Sequence, residues 1–465
     1  SGLGTVTFAD TGVDLAGIVT ATTFSGSGAS LTNVPDSALS AVTASKLSGA
    51  LPAISAASLT NVPAANVVGV HTSLTVTNAT TTGTAVVGGG VTISESGIEA
   101  SGIGITVANI NGSQIGGRRN LIINGAMNVA QRGTSSTSLY YQTVDRFRTS
   151  FGNLGSINLT QSQQQLTSSD TPYSSGFRYF YRAALSGAGS VNTNGYIGIS
   201  QRLEAGDVAQ SGWNYTSASS DITIQFWFRC STNQTFYMAL TSQDGTSQSY
   251  VFAFTASGNN TWTKIIKTIP GAANVQFDTD TVANAADRGL TVSFTPWYGT
   301  DYTGSKTVNA WSAYSGSAEY PDYASTWLTA GASTFDITGV QLEVGSQATA
   351  FEHRSYGEEE SLCQRYYAKT YSGHEAGYFG VPGASSGTSY GIATFPVTMR
   401  SNPTVVLIDG TGATGQATQH GNNYFTATAS GITKGGFTFV SRPSGNWSSN
   451  AQNPISAGYT ADAEI

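Results

Sequence analysis

The sequence predicts an all-β protein built from several modules. Three observations carry that reading. Only 10% of the residues are charged, against about 25% in an ordinary globular domain. Glycine is abundant, at 55 residues, while Thr, Val, Tyr and Phe recur and helix formers are sparse, a mixture that favours strands and turns. In the middle of the chain, segments of about 5 to 10 residues alternate apolar and polar side chains between Gly, Asn, Ser or Asp, the cadence of an antiparallel sandwich.

At 465 residues the chain has room for about two to four domains. Residues 1–117 are the first, read as a fibrous β shaft. Lys46 is the only Lys or Arg there, and Trp and Tyr are absent. "GASLTNVPDSAL" at Gly28–Leu39 recurs as "AASLTNVPAANV" at Ala56–Val67. Large side chains are too few to close a core, so such a repeat must stack on neighbours or on other chains; disorder is the alternative.

Residues 118–352 read as one jelly-roll-like β-sandwich. The segments that make it are "SINLTQSQQQL", "FRYFYRAAL", "YIGISQRL", "ITIQFWFRC", "TFYMALTS", "SYVFAFTAS", "TWTKIIKTI", "LTVSFTPWYG" and "STFDITGVQLEVG". In "ITIQFWFRC", Ile222, Ile224, Phe226 and Phe228 fall on one face, and Thr223, Gln225, Trp227 and Arg229 on the other. Residues 353–370 read as a linking helix. Ser355 followed by Glu358 fits a capping box, and Glu358, Glu359 and Glu360 sit where negative charge suits the helix dipole. Residues 371–465 read as a small C-terminal β-sandwich or open barrel, with "DGTG" at Asp409–Gly412 as a hairpin turn.

Several function classes fall away. With a net charge of −7 and no basic stripe, nucleic acid is not an expected partner. No run of about 18 apolar residues is present, so membrane insertion is not expected. No nucleophile motif, H-E-x-x-H, phosphate loop or spaced Cys/His cluster is read. Cys230 and Cys363, far apart in sequence, read as free buried thiols of a protein assembled in a reducing cytoplasm. The chain starts at Ser1, and sequence upstream is expected.

Several of these stretches resemble the tail fibres of tailed bacteriophages. "FSGSGASLTNVP" and "LSGALPAIS" resemble the low-charge repeats of fibre shafts. "NLIINGAMNVAQRGT" followed by "TVDRF" resembles the opening of a jelly-roll-like fibre domain. "ITGVQLEVGSQATAFEHRSYGEEESLCQRYY" resembles the segment that closes that domain, and "FPVTMRSNPTV" the start of small tip domains. The resemblance implies an elongated homotrimeric receptor-binding fibre in the virion tail. Its N-terminal end would join another tail or baseplate protein, and its tip would meet host surface carbohydrate. It also implies that the helix lies near the three-fold axis, where Leu362, Cys363 and Tyr366 would meet their copies. The helix packed on its own jelly roll is the alternative.

Candidate site residues follow from side-chain chemistry. Asp278, Asp280 and Asp287 in "QFDTDTVANAADRG" read as a polar loop; a Ca²⁺ site or a glycosidase carboxylate pair are the alternatives, and no other cofactor is expected. Sugar binding needs an aromatic plate with hydrogen-bonding groups around it. Trp297, Tyr298, Trp311, Tyr314 and Trp327 offer this in the jelly roll. Trp447, Tyr424, His420 and Phe425 offer it in the tip, the favoured receptor site, since Trp447 lies in the polar stretch "RPSGNWSSNAQNP". His353 reads as a structural hydrogen-bonder beside the helix cap. The expected function is non-enzymatic adhesion to a host glycan. A polysaccharide-degrading tailspike and a purely structural fibre component are the alternatives.

Overall fold

The computed structural model describes residues 119–277, 287–370, 389–419, 423–441 and 455–465, with a few isolated positions before residue 119. The chain divides into two units, Ser1–Glu99 and Ala100–Ile465. The shaft expectation lies almost wholly outside the described residues, nearly all of which belong to the second unit.

The alternating segments become strands because their period of two puts one set of side chains on each face of a sheet. In chain order these are β1 (Ser135–Ser136), β2 (Arg148–Gly152), β3 (Leu159–Gln165), β4 (Tyr179–Leu185), β5 (Tyr196–Glu204), β6 (Asp221–Cys230), β7 (Phe236–Ser242), β8 (Gln248–Phe254), β9 (Thr263–Pro270), β10 (Arg288–Tyr298), β11 (Trp311–Ala313) and β12 (Thr334–Val344). They form two antiparallel six-stranded sheets, ordered β1-β3-β4-β12-β6-β9 and β11-β8-β7-β10-β5-β2. Each of the nine quoted segments holds one of these strands.

The sandwich core is aromatic. Ile222, Ile224, Phe226 and Phe228 of β6 are all fully buried, as the alternation requires. The Phe228 ring stands edge-on to Phe254 at 5.0 Å and tilts against Phe335 at 4.8 Å. Phe226 meets Phe294 edge-on at 5.0 Å. Edge-to-face contacts align the positive ring edge with the negative ring face.

The outer face of the first sheet is less exposed than alternation suggests. Thr223 and Gln225 are buried, because the segment after β12 crosses over them. Thr223 Oγ1 donates to Gly345 O at 2.7 Å, and Gln225 Nε2 to Thr349 O at 2.7 Å.

"NLIINGAMNVAQRG" forms no strand. It threads beside β12 as irregular backbone, and side chains satisfy it instead of a ladder. Asn124, fully buried with φ at 59°, donates its Nδ2 to Val129 O and Asp145 O and accepts from Val129 N. Gly125 is obligatory here, since a Cβ would lie 2.0 Å from Val340 O.

The charges clustered after Val340 close around this segment. Buried Glu343 accepts from Thr349 N and Oγ1 and from Gln341 Nε2. Glu352 accepts from Asn120 N, and Glu359 from Asn124 N. Arg354 donates to the carbonyls of Asn120 and Ile122 and ion-pairs with Glu352 and Glu359. They are internal cross-links.

Among the described residues four short helices interrupt the sheets: α1 (Thr171–Ser174), α2 (Ala205–Ala209), α3 (Thr326–Thr329) and α4 (Tyr356–Gln364). In α4 the Ser355 hydroxyl accepts from Glu358 N at 3.3 Å, the expected N-cap. The helix is nine residues long and ends sooner than the sequence suggested, because Tyr367–Lys369 leaves it to pair as β13 with a C-terminal strand.

The C-terminal module continues with β14 (Ser389–Thr394), β15 (Thr404–Ile408), β16 (Gln416–Gln419), β17 (Asn423–Ser430), β18 (Gly436–Ser441), β19 (Ile455–Ser456) and β20 (Gly458–Asp462). Its sheets run β13-β20-β15 and β14-β18-β17-β16-β19. Phe395, Phe437, Phe439 and Tyr459 make a smaller core, filled out largely by alanines. The Asp409–Gly412 turn joins β15 to β16, with Asp409 Oδ1 accepting from Thr411 N, Thr411 Oγ1 and Ala413 N. The described residues are thus all-β in class, a two-sheet sandwich followed by a smaller β module.

Candidate functional site

A pocket of about 330 Å³ opens on the outer face of the first sheet. It lies at the small end of the range of about 300–1,000 Å³ typical of small-molecule sites. Trp227 and Gln225 of β6 and Lys264 of β9 form one wall, and Phe177, Phe351 and His353 another. Trp227 and Lys264 are register partners across β6 and β9.

A bulge builds the second wall. The ladder between β12 and β6 shifts register between Thr338 and Gln341. Gly339, inside the shift, has φ at 63°; a Cβ there would stand 2.7 Å from Phe177 Cζ. Glycine therefore lets the Phe177 ring lie directly on the strand backbone. Phe177 meets Phe351 edge-on at 4.8 Å, and the His353 ring packs on both, 5.1 Å from Phe177 and 4.9 Å from Phe351. His353 Nε2 bonds Ser175 O at 2.9 Å, the structural hydrogen bond expected of it, made to the α1 turn rather than to the helix cap. The three rings are thus held from two sides.

Polar groups at the pocket remain open. Gln225 Nε2 is committed to Thr349 O, but no described group donates to its Oε1. Exposed Lys264 has no hydrogen-bond or ion-pair partner among the described residues. Nearby, Asp170 accepts from Trp262 Nε1 at 2.9 Å and pairs with Arg229 at 2.8 Å. Burial alone would raise its carboxyl, but bonds from Thr167 and Trp262 and the Arg229 charge hold it below the usual range. It is an ionised anchor that fixes the aromatic surround. The arrangement offers aromatic faces, one acceptor and one cation, which suits binding. Among the described residues no group of three His, Cys, Asp or Glu could hold a metal.

The structure sorts the residues singled out from sequence. Trp297 and Trp327 are core, at 2% and 0% exposure. Trp311 is half-buried and donates Nε1 to Pro270 O at 2.7 Å. Tyr298 is half-buried among other tyrosines, and Tyr314 is exposed. In the C-terminal module Tyr424 is exposed on β17. The Phe425 side chain, His420 and Trp447 lie outside the described residues, as do Asp278 and Asp280. Asp287 is exposed, 4.0 Å from Arg400 Nη1.

Of the axis candidates, Cys363 and Tyr366 are already buried inside one chain, at 0% and 1% exposure. They pack on Ile123 and Val129, with half-buried Leu362 and Ile465 beside them. Tyr366 OH donates to Glu204 at 2.6 Å. Neither of the two keeps surface for meeting a copy, because α4 is docked onto its own sandwich. Both cysteines are free and buried.

The motif reading needs one correction. Gly383–Gly387 and Gly387–Gly391 both carry the G-x-S-x-G spacing. The first lies outside the described residues. In the second, Ser389 opens strand β14 and pairs with Ser441, not the strand-to-helix elbow that exposes a nucleophile. Sequence reasoning missed the pocket, whose residues come from five separated stretches. The one available signal was Trp227, a large aromatic on the outward register of β6.

No family model matches the chain, and no curated protein matches it. Among solved structures, the enzymatically active domain of bacteriophage CBA120 tailspike protein 4 aligns at 10% identity and a TM-score of 0.25, over 48% of this chain and 21% of that one. A family 11 carbohydrate-binding module from Clostridium thermocellum, in complex with a β-1,3-1,4-mixed-linked tetrasaccharide, aligns at 11% identity and a TM-score of 0.22, over 47% of this chain and 98% of that one. The N-terminal cellulose-binding domain of Cellulomonas fimi β-1,4-glucanase C gives 10% identity and a TM-score of 0.22, over 48% of this chain and 99% of that one. Likeness at this level carries no argument about what the chain does.

Proposed function

We propose that the chain is a non-catalytic, receptor-binding component of a phage tail fibre, and that it holds a cell-surface glycan in the pocket over Trp227. The observation that carries the reading is the pocket itself. A half-buried indole faces a rigid three-ring wall, with the open Gln225 Oε1 and Lys264 Nζ beside them. Sugars stack their C–H faces on aromatic rings and hydrogen-bond at their edges, and this lining offers both. The stretches that resemble tail fibres support the setting: a homotrimer in the virion tail, joined to another tail protein.

One site of this size binds weakly, since each such contact is worth about 1 kcal/mol. Several copies on one particle would raise avidity by a factor of roughly 10² to 10⁴. The test is affinity electrophoresis of the whole chain through gels containing polysaccharide from the host envelope. Trp227→Ala should reduce retardation at least tenfold with an unchanged melting temperature. Retardation unaffected by Trp227→Ala would remove the pocket from the reading, and release of reducing ends by the wild-type protein would replace adhesion with hydrolysis.

A further inference from the structure

We propose that a row of three arginines on the outer face of the second sheet, Arg148, Arg202 and Arg288, is a binding site for the anionic groups of an acidic polysaccharide. The row follows from register. Arg148 on β2 stands opposite Ser200, Arg202 lies two positions further along β5, and Arg288 on β10 stands opposite Glu204, two further again. Positions two apart share a face and are about 6.7 Å apart along a strand. All three therefore rise from the side opposite Ile197, Ile199 and Leu203, which enter the core. Small residues, Gly198, Ser200 and Ser293, occupy the same face beside them, so the floor is low.

These arginines differ from others in the molecule. Arg132, Arg146, Arg182, Arg229, Arg354 and Arg365 each pair with a carboxylate. Among the described residues no Asp or Glu carboxylate lies within ion-pair distance of any of the three. Arg148 meets only the Tyr140 ring, at 4.1 Å. Arg202 donates Nη1 to Ile465 O, and its Nε is buried with no partner. Arg288 donates to the neutral Gln243 amide. The nearest acids in sequence are turned to other uses: Glu204 binds Arg365 and Tyr366, and Asp287 lies by Arg400. Burial first, and then like charge, hold Arg202 and Arg288 below the usual arginine range; Arg148 repels both.

A chain of net charge −7 with 20 basic residues thus gathers three half-buried guanidiniums with no Asp or Glu partner among the described residues. A guanidinium fork matches carboxylate and phosphate oxygens two at a time. The exposed Tyr140 ring beside Arg148 gives a sugar ring something to stack on. The anion site stands on this geometry alone; the choice of a polysaccharide rests on the adhesion reading.

The probe is polygalacturonate, with neutral dextran as its control, in affinity electrophoresis of the whole chain. Wild-type protein should be retarded by polygalacturonate, and salt at about 0.5 M should abolish the effect, since exposed charges are screened at that strength. The double variant Arg148→Gln, Arg288→Gln should lose at least tenfold in retardation while keeping its melting temperature. No retardation in polygalacturonate, or equal retardation of the double variant, overturns the proposal. A fall in native mass on the double substitution also overturns it, assigning the row to a contact between copies. Retention of polygalacturonate binding by Trp227→Ala supports a site separate from the pocket, whatever becomes of the neutral-glycan reading.

Discussion

The sandwich core and the seam that joins it to the C-terminal module are made of different things. Between the two large sheets lie rings and aliphatic chains such as Phe226, Phe228, Phe294 and Phe335. In the seam lie ions. Fully buried Arg146 pairs with Glu464, stacks on the Tyr366 ring at 3.4 Å and donates to Arg202 O. Arg132 covers the Tyr367 ring at 3.6 Å and reaches Asp462 and Glu464. Arg365 holds Glu204 with two parallel bonds of 2.9 and 2.7 Å. Apolar burial is non-directional and scales with area, so the core supplies stability. Buried ion pairs recover their desolvation cost only in good geometry, so the seam fixes the placement of one module on the other.

The largest test of that contrast is in the core. Phe228→Ala removes a ring packed on Phe236, Phe254 and Phe335 and should cost about 4 kcal/mol, within the range for such truncations. Urea unfolding followed by tryptophan fluorescence reads it. A loss below about 1 kcal/mol would mean that the sheets are not held by this cluster.

The seam should answer differently to single and paired changes. Glu464→Ala leaves Arg146 buried and uncompensated and should cost about 3 kcal/mol, whereas Arg146→Met with Glu464→Leu should be near neutral. If the pair of changes costs as much as the single one, the seam contributes stability in its own right and the contrast with the core fails.

Much of the sandwich was legible in advance because strands with one buried face alternate, and the aromatic-rich segments did so clearly. Strands β1 and β11 were not legible, at two and three residues, too short to show a period. The role of Glu343, Glu352, Arg354 and Glu359 was not legible either. Their clustering pointed to a helix, but three of the four serve backbone groups of Asn120–Asn124 more than 200 residues away, and sequence spacing does not encode such partners. The pocket was hidden for the same reason: the Gly339 bulge that seats Phe177 exists only through pairing with β6.

A pH series sharpens the comparison, since the seam side carries a buried titrating carboxyl. Asp145 is buried, and its carboxyl is pushed up to about 6, with burial outweighing the Arg132 charge and the Gln131 hydrogen bonds. The folded chain keeps this proton to higher pH than the unfolded chain, whose aspartate ionises near pH 4. The stability it contributes is therefore complete below about pH 4 and is lost as pH rises through about 6, by about 3 kcal/mol in all. Across pH 4 to 7, wild type should lose stability relative to Asp145→Asn in urea titrations. Parallel curves for the two proteins would show that Asp145 ionises normally.

The smallest effect belongs to α4, which touches both regions. Its Ser355 hydroxyl accepts from Glu358 N at 3.3 Å, a long bond at an exposed end. A helix of nine residues is too short to hold itself; here Glu359, Cys363 and the following Tyr366 anchor it in the interior. Losing an N-cap typically costs about 1 kcal/mol, so Ser355→Ala should cost about that, and Ser355→Asp should restore most of it because aspartate caps equally well and adds charge at the positive end of the dipole. Hydrogen exchange at the amides of Glu358 and Glu359 reads the change locally. If Ser355→Ala leaves that exchange unaltered, the docked side chains alone hold the first turn, and the helix belongs energetically to the sandwich beneath it.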